Sequence, residues 1–175
     1  TGFFIFSDAD LMQMVLVGFE YHISNQISIR PSFGFSIGNP ESKNKMTGAS
    51  SKDDNKILAG TLALLYHFYT PGQKLIPYFG IQGEYIHYDQ IDRNSGGTSE
   101  GREKTDYING FIKIGAKYML SSQFGFFGDF AVGFSYYKNN DKTVQLSNYS
   151  VTSETERTDF MIVSKKAFVG AVFYF

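Results

Sequence analysis

The chain has 175 residues, 17% of them aromatic, with 18 Gly, 4 Pro and no Cys, which suits one domain of many strands joined by turns and excludes a disulfide framework or a thiolate metal site. Its formal net charge of -1, with both signs mixed, gives no basic footprint for nucleic acid and no polybasic membrane anchor. No run approaches the roughly 20 apolar residues of a spanning helix, and no basic and apolar leader opens the chain at Thr1, so any export signal is expected to have been removed.

Residues 1–6 are short for a spanning strand and read as the upper part of one, entering a short loop at residues 7–10. Val15, Val17, Phe19 and Tyr21 then alternate with smaller or polar residues. After a tight turn at Ser24, Asn25 and Gln26 comes the clearest period of two in the chain. Ile27, Ile29, Pro31, Phe33, Phe35 and Ile37 share one face, and Ser28, Arg30, Ser32, Gly34, Ser36 and Gly38 the other. The same pattern continues through Leu58, Leu62, Leu64, Tyr66 and Phe68, then Phe79, Ile81 and Tyr85. It returns in Ile112, Ile114, Ala116 and Tyr118, and in Phe124, Phe126, Phe130, Val132, Phe134 and Tyr136. The last strand carries Val169, Ala171, Phe173 and Phe175 on one face.

The connections alternate. Residues 24–26, 70–74 and 121–123 are tight, whereas residues 39–55, 90–105 and 139–158 are long, polar and rich in Ser, Asn, Gly and Lys. About 10 residues tilted by about 45° cross a bilayer's hydrocarbon, and the apolar segments reach that length. A mean hydropathy of -0.20 is no objection, because a barrel needs apolar residues only at every second position. The expected fold is all-β: a transmembrane antiparallel up-and-down β-barrel of about eight strands, the first incomplete, forming one domain over residues 1–175. Tyr and Phe gather toward strand ends, which fits interfacial girdles and fits equally the general preference of aromatics for strands.

With those apolar faces turned to lipid, the opposite faces bring Glu20, Arg30, Glu84, Lys113, Lys117, Asp129 and Lys166 into the lumen. Charges in so narrow a space must be paired or hydrated, so a salt-bridged plug is the structural expectation and a narrow polar path for ions the functional one. Phe111, Phe127, Ile162, Phe168, Val172 and Tyr174 share that face and form either a packed core or a pocket for a hydrophobic molecule; one β-bulge would flip every later residue. His22 and His67 fall near the ends of strands on the short-turn side and His87 near the opposite end, without metal-site spacing. His87-Tyr88-Asp89 could orient a base, but no nucleophile motif accompanies it, and Ser95-Gly96-Gly97 lies in a loop. No enzyme activity, catalytic residue, metal or other cofactor is expected.

Two pieces carry a resemblance: Ile76-Pro77-Tyr78-Phe79-Gly80-Ile81-Gln82-Gly83, which opens a strand, and the ending Val169 to Phe175. The chain resembles the small eight-stranded Gram-negative outer-membrane barrels, the OmpA/OmpX-type superfamily. The resemblance implies residence in the cell outer membrane with the C-terminus in the periplasm and the long loops extracellular. It also implies an assembly signal at Val169, Ala171, Phe173 and Phe175. The expected partners are outer-membrane lipid and lipopolysaccharide, the outer-membrane insertion machinery and, as a candidate, a larger outer-membrane complex, with no nucleic acid. A fused cell-wall-binding domain after Phe175 is not expected. The leading expectation is a non-enzymatic barrel with a plugged lumen, acting as a structural or accessory subunit or as a surface-binding protein through its loops. The alternatives are a narrow channel or lateral path for small or hydrophobic solutes and, behind both, a lipid-modifying enzyme.

Overall fold

The computed structural model describes residues 1–8, 15–38, 41–43, 50–93, 99–145 and 150–175. Its strands are β1 (Gly2–Asp8), β2 (Val15–His22), β3 (Ile27–Gly38), β4 (Glu41–Lys43), β5 (Ser50–His67), β6 (Leu75–Arg93), β7 (Ser99–Met119), β8 (Phe124–Gln145) and β9 (Ser150–Tyr174). Each pairs antiparallel with its neighbours in the order β3-β2-β1-β9-β8-β7-β6-β5-β4, and a further β3–β5 pairing closes the ring. The short β4 pairs with the upper end of β5, so eight staves make the barrel. Closure satisfies backbone groups that would otherwise face hydrocarbon.

Burial is inverted relative to a water-soluble protein. Phe33, Phe35 and Ile37 are 58%, 69% and 67% exposed, while Ser28, Arg30 and Ser32, at alternate positions earlier in the same strand, are buried. The same holds on β5, β6, β7 and β8, where Leu62, Ile81, Ile112 and Phe130 point out and Thr61, Gln82, Lys113 and Asp129 point in. The apolar belt runs from Tyr66, Phe79, Tyr118, Phe126 and Phe173 at one rim to Leu58, Tyr85, Ile108 and Tyr136 at the other, with outward-facing charges beyond. This is the surface a bilayer requires.

At the first rim the turns are tight. Ser24 Oγ accepts hydrogen bonds from the Gln26 and Ile27 amides, and Ser121 Oγ does the same for Gln123 and Phe124. The turn between β5 and β6 places Gly72 at φ 84°, where only glycine sits without strain.

Three expectations are corrected. First, Gly2 pairs with Tyr174 and Asp8 with Phe168, so β1 begins at the short-turn rim beside the end of β9; it is the lower part of a stave, not the upper, and Ser7 and Asp8 belong to it. Second, much of what reads as long loop is strand. β6 and β7 remain paired up to Arg93 and Glu100, and β8 and β9 up to Gln145 and Ser150. Beyond the belt nearly all described residues on both faces are at least partly exposed, so alternation lapses while the ladder continues. Cross-strand pairs such as Arg102 to Asp89 (2.6 Å) and Lys138 to Glu156 (2.7 Å) join these ribbons. Ser95, Gly96 and Gly97 lie outside the described residues.

Third, Ile162 faces outward, 82% exposed. Ala131 pairs with Lys166 but Gly133 pairs with Val163, so β9 carries one residue more than β8 across this step, and the side-chain parity of β9 reverses above it. Phe111, Phe127 and Val172 are buried inside as expected. The side chains of Lys166 and Phe168 lie outside the described residues.

Candidate functional site

The interior toward the short-turn rim is a net of charges. Arg30 of β3 is its hub, with Nη2 3.0 Å from Glu20 Oε2 of β2 and Nη1 3.6 Å from Asp129 Oδ2 of β8. Lys113 of β7 donates to Asp129 Oδ2 and to Gln82 Oε1, each at 2.8 Å. Lys117, further along β7 toward the short-turn rim, donates to Glu20 Oε1 at 2.8 Å and also contacts the Tyr174 hydroxyl. Tyr78 donates to Asp129 Oδ2 at 3.0 Å, and Asn109 donates to Glu84 Oε1 at 2.7 Å. Of the seven lumen charges named from the sequence, the six with described side chains are all buried, three acids against three bases.

Aromatic faces fill the space around the hub. The Arg30 guanidinium lies 4.5 Å from the Phe127 ring centroid and 5.4 Å from that of Tyr78, and Lys117 Nζ lies 4.9 Å from that of Tyr174. An apolar cluster adjoins the net: Leu16, Ala59, Ile86, Phe111, Ala131 and Val172 are buried with Phe127, and Ile57 and Tyr107 pack against them on the side of the ribbons. Paired charges and packed apolar side chains thus both occupy the lumen.

The histidines are not as separate as they read. The His67 amide donates to the Gln26 carbonyl at 2.7 Å, which draws the end of β5 onto the β2–β3 turn. His22 and His67 therefore meet, their ring centroids 5.3 Å apart, and each turns Nε2 toward Glu20 Oε1, at 3.1 and 3.3 Å. They border a vestibule of about 780 Å³ at the short-turn rim, with Lys117, Tyr174, Ile76 and Met119 also on its wall. Nothing in the spacing of the histidines signals this; only the register of β2, β3 and β5 produces it.

Neither histidine group has the layout of a nucleophilic catalyst. Ser28 Oγ lies 2.8 Å from His67 Nε2, but Glu20 reaches that same nitrogen, and the buried Nδ1, where an orienting carboxylate belongs, has no hydrogen-bond partner among the described residues. His87 takes its hydrogen-bonded carboxylate from across the ladder. Its Nδ1 lies 2.7 Å from Asp106 Oδ1 on β7, which also accepts from Tyr85 Oη at 2.7 Å. Hydrogen bonds from Tyr85 and His87 hold the Asp106 carboxyl below its usual range, and the Arg102 guanidinium does the same for Asp89.

A closed antiparallel barrel with an apolar exterior and a filled interior is a fold of outer-membrane β-barrels. Over 98% of both chains it is similar to the crystal structure of a major outer membrane protein from Thermus thermophilus, at 13% identity and a TM-score of 0.54. The N-terminal β-barrel domain of Pseudomonas aeruginosa OprF is also similar, at 19% identity and a TM-score of 0.44, over 98% of this chain and 93% of that one. The chain belongs to the family described as "Protein of unknown function (DUF3575)", which it matches over residues 7–175. No curated protein matches it.

Proposed function

We propose that this protein is a non-enzymatic integral barrel of the outer membrane, a structural or accessory subunit or a surface-binding protein that works through its ribbons. In this reading the short turns and C-terminus face the periplasm and the ribbons face outward. Lipid and lipopolysaccharide surround the belt, a larger outer-membrane complex is a candidate partner, and the insertion machinery reads the last strand. Phe173 and Phe175 point outward at its end, which suits such a signal.

The observation that carries the reading is the filled lumen. The links among Arg30, Glu20, Asp129, Lys113 and Lys117 run across it, and Phe111, Phe127 and Val172 pack beside them. An eight-stranded barrel is just wide enough for side chains to fill it. The Ser28, His67 and Glu20 arrangement, with its carboxylate on the wrong nitrogen, supports a role without acyl-transfer chemistry. Single-channel recording in planar bilayers tests the proposal: insertion without resolved conductance is expected, and steady unitary currents would replace the plug with a pore.

A further inference from the structure

We propose that Glu20, His22 and His67 form a binding site for a divalent transition metal of the zinc class, entered from the vestibule at the short-turn rim. The site goes beyond the role proposed above and stands on its own geometry. Two imidazole nitrogens and one carboxylate oxygen converge, His22 Nε2 and His67 Nε2 lying 3.1 and 3.3 Å from Glu20 Oε1. Ligand atoms bonded to tetrahedral zinc at about 2.0 to 2.1 Å sit about 3.3 Å from one another. All three donor atoms lie within 4.8 Å of one another. Imidazole with carboxylate is a donor set that suits zinc, and a vestibule water can complete it.

The surroundings hold these donors in place. Arg30 fixes the second oxygen of Glu20 at 3.0 Å, and Ser28 Oγ lies 3.2 Å from the first and 2.8 Å from His67 Nε2. The Arg30 contact orients the carboxylate before a metal arrives, whereas Ser28 touches the ligating atoms themselves and must turn aside for the ion. His67 and Glu20 are buried, whereas His22 is 32% exposed and borders the vestibule, so an ion has a way in.

Lys117 is the competitor. Its Nζ holds Glu20 Oε1 at 2.8 Å, so a metal must take that oxygen from it. Lys117 keeps a second anchor in the hydroxyl and ring of Tyr174, to which it can retreat. Binding is therefore weaker than in a site with no resident cation, and removing the ammonium strengthens it. A network of hydrogen bonds alone gives no such dependence.

The test is zinc titration by calorimetry of the tag-free barrel refolded in detergent, with folding of each variant checked by gel mobility before heating. Wild type is expected to bind one Zn²⁺ per chain. His22→Ala, which removes the rim ligand and leaves the buried contacts of Glu20 intact, is expected to weaken binding at least tenfold, and His87→Ala to leave it unchanged. Lys117→Met, where it folds, is expected to bind more tightly. Wild-type and His22→Ala barrels of equal affinity, no binding by wild type, or loss of binding in His87→Ala would each overturn the proposal. A folded Lys117→Met barrel that binds no better would overturn the competition that defines the site.

Discussion

Glu20 of β2 and Lys117 of β7 meet at 2.8 Å inside the barrel although 97 positions separate them in the chain. Both are buried, and Glu20 also holds Arg30. Removing one member of such a net leaves its partners charged in a dry interior, which costs about 3 to 5 kcal/mol. Glu20→Ala is therefore expected to lower the urea midpoint of the folded barrel strongly. Lys138→Ala, which breaks an exposed ribbon pair with Glu156, is expected to leave the midpoint unchanged. Equal midpoints for the two variants would contradict a structural role for the net.

Ile162 tests the bulge. Simple alternation along β9 turns this residue into the lumen, whereas the shifted register turns it to lipid. The chain has no Cys, so single-cysteine labelling is clean. A fluorophore on Ile162→Cys is expected to be quenched by a lipid-phase quencher about as strongly as one on Phe33→Cys. Protection at Ile162 with quenching at Phe33 would mean that β9 keeps one parity throughout.

Close packing of the wall makes a second contrast, between two glycines. A Cβ at Gly133 would fall against the Gly110 carbonyl on β7, whereas one at Gly83 would meet nothing within 4 Å. Gly133→Ala is expected to reduce refolding yield severalfold, and Gly83→Ala to refold as wild type. Equal yields would show that β7 and β8 do not approach as described.

Acid should loosen the ribbons before it opens the belt. Hydrogen bonds from Tyr85 and His87 lower the Asp106 pKa from 3.8, and Arg102 lowers that of Asp89 from the same value. A depressed folded pKa gives stability that is fully present above the unfolded value and lost as pH falls through the folded one. Amide exchange in β6 and β7 between Tyr85 and Asp106 is therefore expected to stay constant from neutral pH to about 4, once corrected for intrinsic rates, and to accelerate below. Asp89→Asn together with Asp106→Asn should remove the acid-induced step. A step unchanged in that double variant would assign it to other groups.

The belt is easy to read from sequence because lipid imposes one rule at every second residue. Phe33, Leu62, Ile81, Ile112 and Phe130 obey it, and the inward faces follow by subtraction, which is how Glu20, Arg30, Lys113 and Asp129 are found. Beyond the belt the rule has no force. Lys104, Thr105 and Asp106 show no period, although β7 continues through them. The one-residue shift opposite Ala131 and Gly133 leaves no mark in composition, so Ile162 reads inward. The meeting of His22 with His67 depends on β3 standing between their strands and on the hydrogen bond from the His67 amide to Gln26. Such a contact is a property of three registers together, and no local pattern carries it.

A closed barrel whose apolar face is its outside has a direct signature on refolding. It is tested most directly by refolding the chain into detergent micelles and comparing electrophoretic mobility before and after heating, alongside circular dichroism. A β-rich spectrum is expected, with a compact, faster-migrating band that shifts on boiling, because only a closed ladder satisfies the backbone in an apolar surrounding. A helical spectrum, or a folded chain fully soluble without detergent, would contradict it.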